Sequence, residues 1–137
     1  MEDALAAEVA KSGLPSAAGI TSLLEQSANA FRQVPPDYNA SLSNARAVLQ
    51  TLVKEIALAR QQAKGGSFQA DKWAQTLTYL RTSGLITPAE EGLIASVYTF
   101  TSPGAHQPVG LSQEQLVRLG RGMVVSVSYF LVKLHNP

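Results

Sequence analysis

The stretch that decides the fold is residues 41–64, SLSNARAVLQTLVKEIALARQQAK. Its apolar side chains recur every three or four residues, which is the spacing of one face of an α-helix. These positions are Leu42, Ala45, Leu49, Leu52, Ile56 and Ala59. The tandem Gly65-Gly66 that follows favours a helix C-terminus, because glycine readily adopts the left-handed backbone conformation found there. One long helix is therefore predicted over residues 41–64.

The rest of the chain shows the same helical spacing. It predicts helices over residues 3–11, 21–31, 69–82 and 90–100, and a last helix after residue 112. Thr87-Pro88-Ala89-Glu90 and Ser112-Gln113-Glu114-Gln115 have the capping-box pattern that marks a helix start. The predicted fold is all-α, a single helical bundle of about five helices over residues 1–137. Residues 1–19 are expected to form a loosely attached N-terminal segment.

The last predicted helix carries more apolar residues than one buried face requires. We expect its inward stripe to be Leu116, Leu119, Met123, Val127, Phe130 and Leu134. Valines and aromatic residues occupy a second face, and an exposed helix normally keeps a polar side. Only 15% of the residues are charged, so little of the surface is strongly hydrated. This pattern favours a homodimer formed through the C-terminal helix.

Composition excludes several classes of function. Eleven basic and ten acidic residues give a net charge of +1, which excludes the global basicity of a protein held on nucleic acid mainly by phosphate contacts. The chain has no cysteine, and its two histidines lie far apart, so neither a zinc site nor a di-iron site is expected, nor any other cofactor. No apolar run reaches about 18 residues. A soluble, cytoplasmic protein is the expectation.

Residues 44–55, NARAVLQTLVKE, resemble the A-R-x-x-L-E-x-x-x-K helix of the HEPN superfamily, a group of helical domains from higher eukaryotes and prokaryotes. The order of the later segments is similar to that family as well: a second helix, a third helix, a loop with Gly104-Ala105-His106, and an apolar final helix. The resemblance covers residues 21–135. It implies a HEPN-like bundle, with a role in prokaryotic defence such as abortive infection.

The resemblance also implies a chemistry. Family members with a complete Arg-x(4–6)-His motif are metal-independent ribonucleases whose active sites form across a symmetric dimer. A neutral imidazole removes the proton from a ribose 2′-hydroxyl, and a cation stabilises the charge on the phosphate. His106 occupies the histidine position. Thr99, Phe100 and Thr101 stand where the arginine would be, so the cationic half of the motif is missing.

Two functions follow from this departure. The first is a dimeric interaction module without nuclease activity, which binds RNA or a protein. The second is a ribonuclease in which His106 works with an arginine from elsewhere, for which Arg121, Arg81 and Arg118 are the candidates. The chain could also be part of a longer protein that carries the activity.

Three side chains have a structural interpretation as well as a functional one. His106 could hold its loop by a hydrogen bond to a backbone carbonyl. Arg46 could bind a phosphate or a partner's carboxylate, but an ion pair with an acid such as Glu90 is favoured. Trp73 is favoured as a core residue over a stacking platform, and His135 is expected in solvent.

Overall fold

A computed structural model describes residues 2–102 and 110–136. These two ranges form six α-helices and contain no β-strand. The helices are α1 (Glu2–Lys11), α2 (Ala17–Arg32), α3 (Tyr38–Lys64), α4 (Trp73–Thr82), α5 (Pro88–Phe100) and α6 (Gln113–His135). The predicted all-α bundle is confirmed. Within the described ranges, no helix combines the length and the apolar character needed to span a membrane.

The long helix α3 is the centre of the bundle. It packs most extensively against α2 and α6, and less extensively against α4 and α5. Its buried apolar residues are Ala45, Val48, Leu49, Leu52, Val53, Ile56 and Ala57. Four of the six predicted inward positions are therefore buried, while Leu42 and Ala59 lie half-buried at the margin. The face is wider than predicted because α3 has neighbours on several sides.

Both predicted capping boxes are confirmed. At the start of α5, the Thr87 hydroxyl accepts the Glu90 N–H at 3.2 Å, and the Glu90 carboxylate accepts the Thr87 N–H at 2.7 Å. Ser112 and Gln115 exchange the same two bonds at the start of α6, at 3.1 and 2.8 Å. These bonds satisfy backbone donors that a helix N-terminus otherwise leaves free.

Helix α4 begins at Trp73, four residues later than predicted. The segment before it folds back on the first turn of the helix. The Gln75 side chain accepts the Gln69 N–H at 3.1 Å, and the Lys72 N–H donates to the Gln69 carbonyl at 3.0 Å. These two hydrogen bonds hold residues 69–72 in a turn, and the α-helix begins only after it.

Of the predicted inward stripe of the last helix, only Val127 is fully buried, while Met123 and Phe130 are partly buried and pack against the core. The residues that α6 buries are Val117, Gly120, Val124, Val125, Val127, Ser128, Leu131 and Val132. Leu119 and Leu134 are 47% and 38% exposed, and Leu116, Met123 and Phe130 are half-buried. The inward face is rotated because α6 packs against α3, α1 and α5 together, and compact valines fill the space between them.

The N-terminal helix is an integral part of the bundle, which corrects the expectation of a loosely attached segment. Leu5 and Val9 on α1 are fully buried, and α1 packs against α6 and α2. At the far end of α6, the Asn136 side chain donates to the Glu8 carbonyl at 2.8 Å. His135, expected in solvent, is partly buried with Nε2 2.9 Å from the Ser12 carbonyl oxygen. Apolar burial and these polar contacts together fix α1.

Candidate functional site

The predicted catalytic base, His106, lies outside the described residues. The end of α5, where the motif arginine would stand, is described. Thr99 is exposed and Phe100 is half-buried, while Thr101 is fully buried. The Thr101 hydroxyl lies 3.1 Å from the Val97 carbonyl and 3.0 Å from the Tyr98 carbonyl, to which it donates. Thr101 thus fastens the last turn of α5 and supplies no charge.

Arg121 is held by two other helices. Its Nε donates to the Ser27 hydroxyl of α2 at 2.9 Å, and its Nη2 pairs with the Glu2 carboxylate of α1. The Ser27 hydroxyl donates in turn to the Ser41 carbonyl of α3 at 2.6 Å. The side chain of Arg121 is only 16% exposed. This guanidinium connects α6 to the N-terminal half of the bundle.

Arg118 lies about one helical turn before Arg121, and both guanidinium groups lie near the Phe31 ring. The two guanidinium carbons lie 5.0 and 5.9 Å from the centroid of the Phe31 ring, a distance at which cations interact favourably with an aromatic face. Arg118 also pairs with Glu114 at 3.2 Å. An open groove of about 500 Å³ beside them is lined by both arginines and by Glu2 and Asp3. The two acids offset the positive charge of this groove.

Arg81 lies at the contact between α4 and α5. Its Nε donates to the Glu91 carboxylate at 2.7 Å, and both side chains are partly buried. This ion pair joins the end of α4 to the first turn of α5. Within the described ranges, no hydrogen bond or ion pair joins Arg81 to Arg118 or Arg121.

Arg46 does not form the expected ion pair with Glu90. The Glu90 carboxylate is bound to the Thr87 N–H in the capping box of α5. The Arg46 guanidinium carbon instead lies 4.0 Å from the centroid of the Tyr98 ring. Its Nε is buried and has no hydrogen-bond partner among residues 2–102 and 110–136.

Trp73 stacks on the same tyrosine. The two ring centroids are 3.8 Å apart and the ring planes differ by 13°. Trp73 also packs against the core, as predicted, together with the buried Leu77 and Leu80. Sequence spacing does not predict that Tyr98 lies between Trp73 and Arg46, because the three residues belong to three different helices.

The described residues hold no metal-binding constellation, since they contain no group of three or more histidine, cysteine, aspartate or glutamate side chains close enough to share an ion. The notable polar and aromatic contacts of the site are arginine ion pairs and the stacking of Trp73 and Arg46 on Tyr98. Comparison with protein-family models, curated proteins and solved structures finds no match to this chain.

Proposed function

We propose that this chain is a HEPN-like helical interaction module of a prokaryotic defence or regulatory system, that it forms a homodimer, and that it does not cleave RNA. The observation that supports the absence of cleavage is the state of Thr101, which stands where the motif would place an arginine. It is fully buried, and its hydroxyl is bonded to the carbonyls of α5. Stabilising the charge on a phosphate requires a cation. An uncharged side chain committed to its own helix cannot provide it.

The arginines proposed as substitutes support the same conclusion. Arg81 is bonded to Glu91, Arg118 to Glu114, and Arg121 to Glu2 and Ser27. For Arg121, a role in catalysis would require breaking a contact that joins three helices. A partly buried guanidinium that leaves its carboxylate also leaves that carboxylate without its counter-charge.

The proposed dimer interface is the apolar flank of α6. We define this flank as Leu116, Leu119, Met123, Phe130 and Leu134. It runs along the helix beside the buried face, and each of its members is half-buried or exposed. The flank contains no charged residue. In a two-fold dimer one surface is used twice, so an uncharged apolar flank is self-complementary without any opposite charge.

The nuclease part of the proposal is tested with purified protein and end-labelled RNA in the presence of a metal chelator. We expect no cleavage by the wild-type chain and none by His106→Ala. Cleavage by the wild-type chain that is lost in His106→Ala would contradict the proposal and support the ribonuclease alternative. Repeating the assay with Arg121→Gln, Arg81→Gln and Arg118→Gln would then identify the arginine involved.

The dimer is tested separately by multi-angle light scattering. We expect the mass of two chains at high micromolar concentration. A mass of one chain, about 14.6 kDa, that persists at these concentrations would contradict the dimer. The two experiments are independent, because a helical module can associate whether or not it cleaves RNA.

A further inference from the structure

Arg46 differs from every other arginine of the chain. All six arginines lie within the described ranges, and five of them donate a hydrogen bond from the guanidinium to a neighbouring side chain. These pairs are Arg32–Asn29, Arg60–Ser83, Arg81–Glu91, Arg118–Glu114 and Arg121–Ser27, at 2.8, 2.9, 2.7, 3.2 and 2.9 Å. Arg46 has no hydrogen-bond or ion-pair partner among the residues that the structure describes.

The position of Arg46 makes this lack of a partner significant. The residue lies on α3, half-buried, directly after Ala45, which is 2% exposed. A guanidinium carries five N–H donors and no acceptor, and the Nε donor is already removed from solvent. A buried donor without an acceptor costs free energy, and a charged donor costs more. Among the described residues, this partly desolvated cation therefore has no counter-charge.

The aromatic stack places this cation against the Tyr98 ring. Trp73 and Arg46 lie 3.8 and 4.0 Å from the centroid of Tyr98, so they must occupy opposite faces of its ring. We call this arrangement of guanidinium, phenol and indole the stacked triad. An arginine that stacks through its face keeps its in-plane N–H groups free for hydrogen bonds. A guanidinium fixed in this way loses little freedom when a ligand binds.

We propose that the stacked triad binds the carboxylate group of an acidic ligand, with Arg46 as the residue that contacts it. Two parallel N–H donors of a guanidinium match the two oxygens of a carboxylate. The triad contains one cation, which balances the single charge of one carboxylate group, whereas a phosphate monoester places a double charge on a single group. This inference names the chemistry that the proposed interaction module recognises, and it rests on that function.

The carboxylate could come from a small metabolite or from a glutamate or aspartate side chain of a protein. Both sources present the same group to Arg46. They differ in length and in the number of neighbouring charges, so two probes separate them. Succinate represents the first source, and a short peptide of alternating glutamate and glycine represents the second.

Trp73 provides the readout, because it is the only tryptophan of the chain and a member of the triad. The intact protein is titrated with each probe at constant ionic strength, and the tryptophan fluorescence is recorded. We expect a saturable change with at least one carboxylate probe, and none with chloride or inorganic phosphate. Saturation by succinate would assign a small-molecule ligand, and saturation by the peptide alone would assign an acidic protein segment.

Variants connect the signal to Arg46. We expect Arg46→Gln to weaken carboxylate binding about tenfold or more, because it removes the charge and the paired donors. Arg32→Gln makes the same chemical change at an exposed position on α2 and should leave binding unchanged. Should Arg46→Gln fail to fold by circular dichroism, Arg46→Lys keeps the charge but not the paired donors, and it should also bind more weakly.

Three results would overturn the inference. The first is the absence of a saturable change with both carboxylate probes. The second is saturation by inorganic phosphate in place of the carboxylates. The third is carboxylate binding that the folded Arg46 variants leave unchanged. Any of these would leave the RNA and light-scattering results intact, so failure of this site is distinguishable from failure of the proposed function.

Discussion

Gly120 of α6 and Leu42 of α3 meet so closely that a Cβ on Gly120 would lie 2.7 Å from the Leu42 Cδ1. The same Cβ would lie 3.4 Å from the Thr101 Cγ2 at the end of α5. One glycine thus allows α6, α3 and the C-terminal end of α5 to approach each other closely. Gly122, two residues later, has no atom within 4 Å of the equivalent position.

This difference predicts that adding a side chain at Gly120 and at Gly122 changes the free energy of unfolding in opposite directions. Gly120→Val should lower the free energy of unfolding by about 1–3 kcal/mol, because the Leu42 side chain must move and the added methyl groups overfill the space between α6, α3 and the end of α5. Gly122→Ala should raise it by about 0.5–1 kcal/mol, because alanine favours the helix and nothing opposes its methyl group. Urea unfolding measures both. A Gly120→Val protein as stable as the wild type would show that α6 is not held this close to α3.

Arg121 is predicted to be a structural residue. Arg121→Ala removes the donor to Ser27 and the partner of Glu2, and it should lower the free energy of unfolding by about 1–3 kcal/mol. Arg118→Ala serves as the control, because its side chain is 68% exposed and its pair with Glu114 lies within one helix. Its effect should stay within about 0.5 kcal/mol. Equal effects in thermal or urea unfolding would contradict the structural role of Arg121.

The proposed dimer predicts a specific response to charge on the apolar flank of α6. Leu119 is 47% exposed, so Leu119→Glu should cost the monomer little stability while placing two like charges in a two-fold interface. We expect light scattering to show a single chain for this variant. Val34→Glu introduces the same charge at a residue that is 96% exposed before α3. That control should remain dimeric, and loss of the dimer in both variants would point to a different interface.

Local signals in the sequence predicted the helices well. The capping boxes at Thr87 and Ser112 were correct because every group in them lies within four consecutive residues. The glycine stop was also correct, since Gly65 adopts a φ of +75° directly after α3. The sequence pattern was less informative for α6, where apolar residues occur on several faces. Periodicity alone cannot choose between such faces, because the choice depends on which neighbours the helix packs against.

The candidate site was less predictable than the fold. Arg46 was expected to pair with an acid, since a half-buried arginine usually does. Whether Glu90 is free to pair depends on its capping bond, and whether Tyr98 lies over Arg46 depends on how α5 packs against α3. Both are tertiary properties. The resemblance to HEPN domains drew attention to His106, but the contacts that distinguish Arg46 from the other arginines required coordinates.

Glu8 predicts how stability depends on pH. Its carboxylate accepts a hydrogen bond from the Asn136 amide at 3.2 Å, and it lies 3.6 and 3.5 Å from the ammonium groups of Lys11 and Lys133. The Asn136 hydrogen bond and, to a lesser extent, the two lysines hold the pKa of Glu8 below its ordinary value. Ionised Glu8 thus fastens α1 to the end of α6.

A carboxylate with a lowered pKa stabilises the folded state above its unfolded pKa, and the contribution is lost as pH falls through the folded pKa. We therefore expect Glu8→Gln to be less stable than the wild type at pH 7, and the difference to shrink between about pH 5 and pH 3. Glu25→Gln, at an exposed position on α2, makes the same change and should alter stability by less than about 0.5 kcal/mol. Urea unfolding across this pH range measures both variants. A Glu8→Gln difference that stays constant down to pH 3 would mean that the carboxylate charge does not hold the two helices together.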